Sequence, residues 1–311
     1  MRTAVTLVAI SVSWIASTAL ARATPPDVAI VAAAVNTTTP DTNTRFTDVR
    51  DKLLGTGLIN SCAIFNATAF GPGTPTLAYL QQFDAVIVWS NDSFADAVAL
   101  GNVLADYVDA GGGVVVSVFA NTSTNTARFL QGRWQTGNYI AIPQNGGFTQ
   151  GAGSLGTVLV PGHSIMNGVQ TFSTFFLGAS GGYRPTNTSV TAGSTKVALW
   201  NTGHTLVALS PNPRVVELGF HPVSSTVNAN LYWDASTDGD LIMANALVYV
   251  AGGATSPCPG DLNNDRAVNE TDLGILLAAW QAGAGGDLDG DSDTDEADLG
   301  ILLANWGQVC P

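Results

Sequence analysis

Residues 105–121 read ADYVDAGGGVVVSVFAN: the end of an apolar-striped segment, three glycines, then a valine-rich run. An uninterrupted β-branched run bounded by glycine predicts a strand buried on both faces, here Gly113–Phe119. Three more apolar strand candidates precede it, Asp27–Val35, Leu58–Phe65 and Asp84–Ser90. Between them Arg45–Leu54 and Asp96–Asp109 carry helical patterns. Alternation of such strands with helices predicts a parallel sheet covered on both sides, a Rossmann-like α/β domain. Beyond residue 190 the pattern changes. Lys196–Trp200, Thr205–Leu209 and Arg214–Phe220 are short strands joined by Asn-Thr-Gly and Pro-Asn-Pro turns, which predicts an antiparallel extension. Asp240–Val250 closes the domain as a helix.

The same string, with PGHSIMNGV at 161–169, VVELGFHP at 215–222 and DLIMANALVYVAGG at 240–253, resembles the class I glutamine-amidotransferase-like fold, in particular its trehalose-utilisation-type branch. The resemblance spans most of residues 27 to 253. It implies a nucleophilic cysteine on the turn after the glycine-rich strand, activated by a histidine. Here that place reads Ser117-Val118-Phe119-Ala120-Asn121, so amidotransferase chemistry is expected to be absent and no catalytic residue is assigned. The histidines His163, His204 and His221 follow no metal spacing, and the first and last suit structural positions. Ser117 within a strand gives a serine hydrolase little support. Glu217 is the only glutamate of this domain, so a glycosidase would need Asp234, Asp238 or Asp240 as its second carboxylate, residues that a solvated turn explains as well.

Ligands of open parallel sheets bind beyond the carboxyl ends of the strands. Asn36–Thr39, Asn91–Ser93 and Asn121–Ser123 follow three of them. With Trp89, Phe94 and Trp134 nearby, these are either the equipment of a carbohydrate cleft or simply polar loops.

The C-terminal region says the same sentence twice: DLNNDRAVNETDLGILLAAW at 261–280 and DLDGDSDTDEADLGILLANW at 287–306 agree at 12 of 20 positions. Oxygen-bearing side chains recur at loop positions 1, 3, 5, 9 and 12, the spacing with which a short loop wraps a calcium ion. They are Asp261, Asn263, Asp265, Asn269 and Asp272 in the first copy, and Asp287, Asp289, Asp291, Asp295 and Asp298 in the second. Position 7 would add a backbone carbonyl, from Ala267 and Asp293. Two calcium ions are expected. A disordered acidic tail is the alternative, but it explains neither the register nor the repetition. Leu273–Trp280 and Leu299–Trp306 then suit short amphipathic helices, so each unit is a loop and an exit helix.

This duplicated unit, from about Cys258 to Cys310, resembles the dockerin domain, a small all-α, EF-hand-like module. The resemblance implies a cohesin-type protein partner. It also implies recognition through loop positions 10 and 11, Glu270-Thr271 and Glu296-Ala297. Cys258 and Cys310 lie just outside the repeats, where a disulfide would clasp a module too small to be stable on its core alone. Cys62 is left over, in an apolar stretch where a buried, inert thiol is expected.

At the other end, Arg2, the apolar run Ala4–Leu20 and Ala21-Arg22-Ala23 read as a signal peptide cleaved before Thr24. A secreted or cell-surface location follows, with no transmembrane segment in the mature chain. Of the formal charge of −13, residues after Pro257 carry −10, since 11 of the 24 acidic residues lie there against one basic residue, Arg266. No basic stripe with interleaved aromatics exists, which disfavours nucleic acid as a partner. The expected layout is a signal peptide (1–23), an α/β domain (24–253), a linker (254–257) and a dockerin-like module (258–311). The expected function is a secreted protein anchored through calcium-ordered loops. The alternative is a carbohydrate-active hydrolase delivered by that module to a polysaccharide-degrading assembly.

Overall fold

In a computed structural model, which describes residues 25–253, 260–262, 267–281, 286–288 and 293–308, the valine run becomes the centre of a nine-stranded sheet. β1 (Asp27–Ala33) is followed by α1 (Thr44–Gly55), β2 (Ser61–Asn66), α2 (Leu77–Leu80), β3 (Ala85–Ser90), α3 (Ala97–Asp109) and β4 (Gly113–Val116). Next come α4 (Arg133–Thr136), β5 (Phe148–Thr149), β6 (Gly153–Val158), β7 (Ser173–Thr174) and β8 (Arg184–Pro185). β9 (Thr195–Trp200), β10 (Thr205–Leu209), β11 (Val215–Leu218) and α5 (Gly239–Val248) complete the large domain. The sheet order is β2-β1-β3-β4-β11-β10-β9-β6-β7, while β5 and β8 pair separately. β2, β1, β3, β4 and β11 run parallel. β10, β9, β6 and β7 continue as antiparallel neighbours.

Strand alternation explains why the apolar runs are continuous. In β1, Ile30 and Ala32 enter one core with Phe46 of α1, Trp89, Trp200, Trp233 and Ile242 of α5. Ala29 and Val31 enter the other with Leu100, Leu104 and Tyr107 of α3, Val114 and Trp134. Each strand therefore feeds two cores, as parallel strands between helical layers must. The helices begin at side-chain caps. Asn43 accepts from the Arg45 amide at 3.1 Å, and Asp96 accepts from the Val98 and Ala99 amides at 3.0 and 2.9 Å. Within α3, Gly101 lets the Gln131 carbonyl approach so closely that a Cβ would stand 1.9 Å from it. A glycine in mid-helix is thereby explained by packing.

Several expected spans differ in extent, among them Leu58–Phe65, whose strand begins only at Ser61. The strand predicted over Gly113–Phe119 ends at Val116, because the chain turns there. The Ser117 amide still reaches the Val88 carbonyl, but the Ala120 amide closes back on the Ser117 carbonyl, both at 2.8 Å. The C-terminal helices α6 (Glu270–Ala279) and α7 (Glu296–Ala304) begin three residues before the leucine-rich stretches, since their first turns are built from loop residues. They pack Leu276 and Leu302 with Val268 into a core of their own.

The two copies mirror each other. The Gly307 amide and Gln308 carbonyl pair with Val268 after α7, and the Gln281 amide pairs with the Thr294 carbonyl after α6. A Cβ on Gly260 would press on Val268 and the Leu302 backbone, and one on Gly286 on Thr294 and the Leu276 backbone. Among the described residues no helix is long and apolar enough to cross a membrane. The signal-peptide residues 1–23, the linker 254–257, Cys258 and Cys310 lie outside the described residues.

Candidate functional site

Two places hold the residues singled out by the sequence. The first is the pair of loop-to-helix junctions in the C-terminal repeat. Asp272 Oδ1 accepts from the Leu262 amide at 2.8 Å and Oδ2 from the Asn269 amide at 2.9 Å. Asp298 repeats this, accepting from Leu288 at 2.5 Å and Asp295 at 2.8 Å. In return Asn269 and Asp295 each cap their helix, accepting from the Thr271 and Ala297 amides at 2.7 Å. Loop positions 9 and 12 thus form a reciprocal capping box in both copies. Both position-12 carboxylates are fully buried. Buried carboxylates gather partners to offset lost hydration, and each is tied to both ends of its loop.

In the second copy carboxylate oxygens of Asp293, Asp295 and Asp298 lie within 4.8 Å of one another. Such crowding of hard oxygen donors at one helix entrance fits a calcium ion, whose ligands stand 2.3–2.6 Å from the metal. Asp261, Ala267 and Asp287 belong to the same loops, Asp261 being buried. Asn263, Asp265, Asp289 and Asp291 lie outside the described residues.

The second place is the carboxyl end of the parallel strands. Ser117, directly after β4, is fully buried and donates its hydroxyl to the Phe220 carbonyl. His221 accepts through Nδ1 from the Val223 amide at 3.4 Å, so its proton sits on Nε2, a buried atom without a partner among the described residues. Its ring stacks on Tyr232 and meets Phe119. Burial, then Arg45 and Arg128, drives its pKa down to about 3, so it is a neutral imidazole at any ordinary pH.

His163 caps a turn through Nδ1, accepting from the Ile165 amide at 3.2 Å, and packs on Tyr249. Burial lowers its pKa to about 4. His204 bonds Thr202 instead. No hydrogen bond or ring contact among the described residues joins any two of these histidines, or joins one to Asp92 or Asp234.

The carboxylates considered for hydrolysis hold backbone. Glu217 is fully buried and accepts from the Ala141 and Ile142 amides at 3.0 and 3.2 Å. Burial lifts its carboxyl to about 8 against the pull of those amides. Asp238 holds the Gln170 and Thr171 amides, and Asp234 caps the turn at Ser236.

Of the two readings open for the strand ends, the carbohydrate cleft loses its aromatic residues. Trp89 and Trp134 are wholly buried and Phe94 is 4% exposed, so they are core residues and offer no face to a sugar. The serine-hydrolase spacing Gly-x-Ser-x-Gly occurs once in this domain, at Gly178–Gly182. Ser180 there belongs to a tight turn closed on Leu177 with no helix after it, so it lacks the strand-to-helix setting of such a nucleophile. Cys62, among the described residues a free thiol, is half-buried and pushed up to about 12 by that burial. That is the inert state expected of it.

No family model matches the chain, and no curated protein does. Among solved structures the chain is similar to a ThuA-like protein from Parabacteroides merdae, with 13% identity, a TM-score of 0.42, and 74% of this chain and 91% of that one covered. It is also similar to a ThuA-like protein from Bacteroides uniformis, with 14% identity, a TM-score of 0.43, and 72% and 91% covered.

Proposed function

We propose that this chain is a secreted anchoring protein, in which a dockerin-like C-terminal module binds two calcium ions and docks onto a cohesin-type protein. The α/β domain it carries is non-catalytic in the amidotransferase sense. The observation that supports this reading most is the common architecture of the two repeat copies. In each, loop positions 9 and 12 are locked into a capping box, and in the second three carboxylates converge.

Calcium would be held by Asp261, Asn263, Asp265, the Ala267 carbonyl, Asn269 and Asp272, and by Asp287, Asp289, Asp291, the Asp293 carbonyl, Asp295 and Asp298. The ion supplies positive charge to loops whose own carboxylates repel. The residues do the rest: Asp272 and Asp298 tie each loop to its helix, which aligns α6 and α7. That coupling makes metal binding a folding event. Leu277 and Leu303, at matching places in the two copies, are 54% and 53% exposed, and Trp306 is 46% exposed. Exposed apolar residues repeated at equivalent positions suit a protein partner.

The test is capture of the full chain on an immobilised panel of cohesin domains. Binding in millimolar calcium that disappears in chelator supports the reading, and absence of calcium-dependent binding across the panel contradicts it.

A further inference from the structure

A cleft of about 640 Å³ opens on the large domain, away from the carboxyl ends of the strands. Its walls come from the segment after β4, from Thr191 and Ala192 ahead of β9, and from Pro211 in the turn between β10 and β11. Four residues with amide side chains, Gln135, Asn138, Gln144 and Asn145, line it together with Phe129 and Pro211. Among the described residues no Asp, Glu, Lys, Arg or His lines it.

That chemistry selects its ligand. A phosphate, carboxylate or ammonium ligand would enter without an ionic partner, which such groups normally find in a specific site. A purely apolar ligand would strip water from four amides and return nothing. A ligand with apolar C–H faces and edges of hydroxyls, each both donor and acceptor, satisfies amides that also donate and accept. We propose that this cleft binds a neutral oligosaccharide.

The walls are set in advance. Ser210 Oγ donates to the Asn138 carbonyl at 3.0 Å, Thr191 Oγ1 to the Ile140 carbonyl at 2.6 Å, and Asn187 Nδ2 to the Pro143 carbonyl at 2.6 Å. Glu217 grips the next two amides from beneath. Gln144 is held by the Leu130 carbonyl and in turn accepts from Gln135. Asn138, by contrast, is exposed, and its amide group makes no hydrogen bond among the described residues. Asn145 accepts from Asn187 through Oδ1, and its Nδ2 makes no hydrogen bond among the described residues. A pinned backbone that presents uncommitted amides loses little freedom when a ligand arrives.

The site is independent of the C-terminal repeat, so it is tested on the full chain in chelator as well as in calcium. Cellohexaose, xylohexaose and mannohexaose are titrated calorimetrically, with a galacturonic acid hexamer as the charged counterpart. At least one neutral hexamer binds, equally in both metal conditions and unchanged between 0.1 and 0.5 M salt, because no charge pair is involved. The double variant Asn138→Ala/Asn145→Ala and the single variant Phe129→Ala each weaken it tenfold or more, with unchanged circular dichroism. Failure of all three neutral hexamers, equal or tighter binding of the acidic one, or variants that bind like the parent would each overturn the proposal.

Discussion

Glu217 is a fully buried carboxylate that holds the backbone of a distant segment. It stands in the middle of β11 with no solvent contact, and its two oxygens anchor the chain at Ala141 and Ile142. Because its folded pKa is about 8, above the ordinary 4.5, the folded state holds a proton that the unfolded state releases in that interval. Stability from this group is therefore full below about pH 4.5 and declines as pH rises toward 8. Glu217→Gln keeps one acceptor and loses the other, which costs about 1–3 kcal/mol for the stranded amide. It also removes the titration. The melting temperature of the variant, relative to the parent, should be lowest near pH 5 and recover toward pH 8, whereas a constant difference would remove Glu217 from the pH account.

The role of Glu217 was not legible in the sequence. Its partners are 75 and 76 residues away, in a segment with no periodic pattern. The position-9 and position-12 carboxylates were legible as a set, because repetition displayed them twice. Their second use, as helix caps, is a property of the S/T/D/N-x-x-E/D spacing that the metal reading obscured.

At the scale of elements, the continuous valine and isoleucine runs placed β1, β3 and β4 correctly, and their alternation sorts residues between two cores. The meander β9–β10–β11 was legible from its turns. That β11 also pairs in parallel with β4, and so welds the meander to the parallel sheet, is a long-range fact with no local signal. The two-residue strands β5, β7 and β8 were illegible for the same reason, since their pairing partners rather than their composition define them.

The helices are explained by caps and close packing, which gives a paired test on α3. Asp96→Ala loses two capping bonds and should cost about 1 kcal/mol. Gly101→Val forces a side chain into the Gln131 carbonyl and should cost more, about 1–3 kcal/mol, despite the higher helix propensity of valine over glycine. Denaturant melts of the two variants check the order, and a Gly101→Val as stable as its parent would contradict the packing seen here.

Over the whole molecule the charge is divided as the structure is. The large domain buries two cores around a nearly neutral sheet, while the repeat concentrates −10 of the −13 formal charge around a small core of Val268, Leu276 and Leu302. A core of that size yields little stabilisation by itself, and its crowded carboxylates oppose folding until a cation arrives. Stability of the repeat should therefore be coupled to metal, and stability of the α/β domain should not.

Calorimetric titration of the chelated full-length chain with calcium, followed by differential scanning in both conditions, tests this most directly. Metal-coupled folding of the repeat predicts two ions bound per chain and a transition that moves upward with calcium while the main transition of the large domain stays in place. No measurable binding, with identical melting profiles in calcium and in chelator, would contradict it.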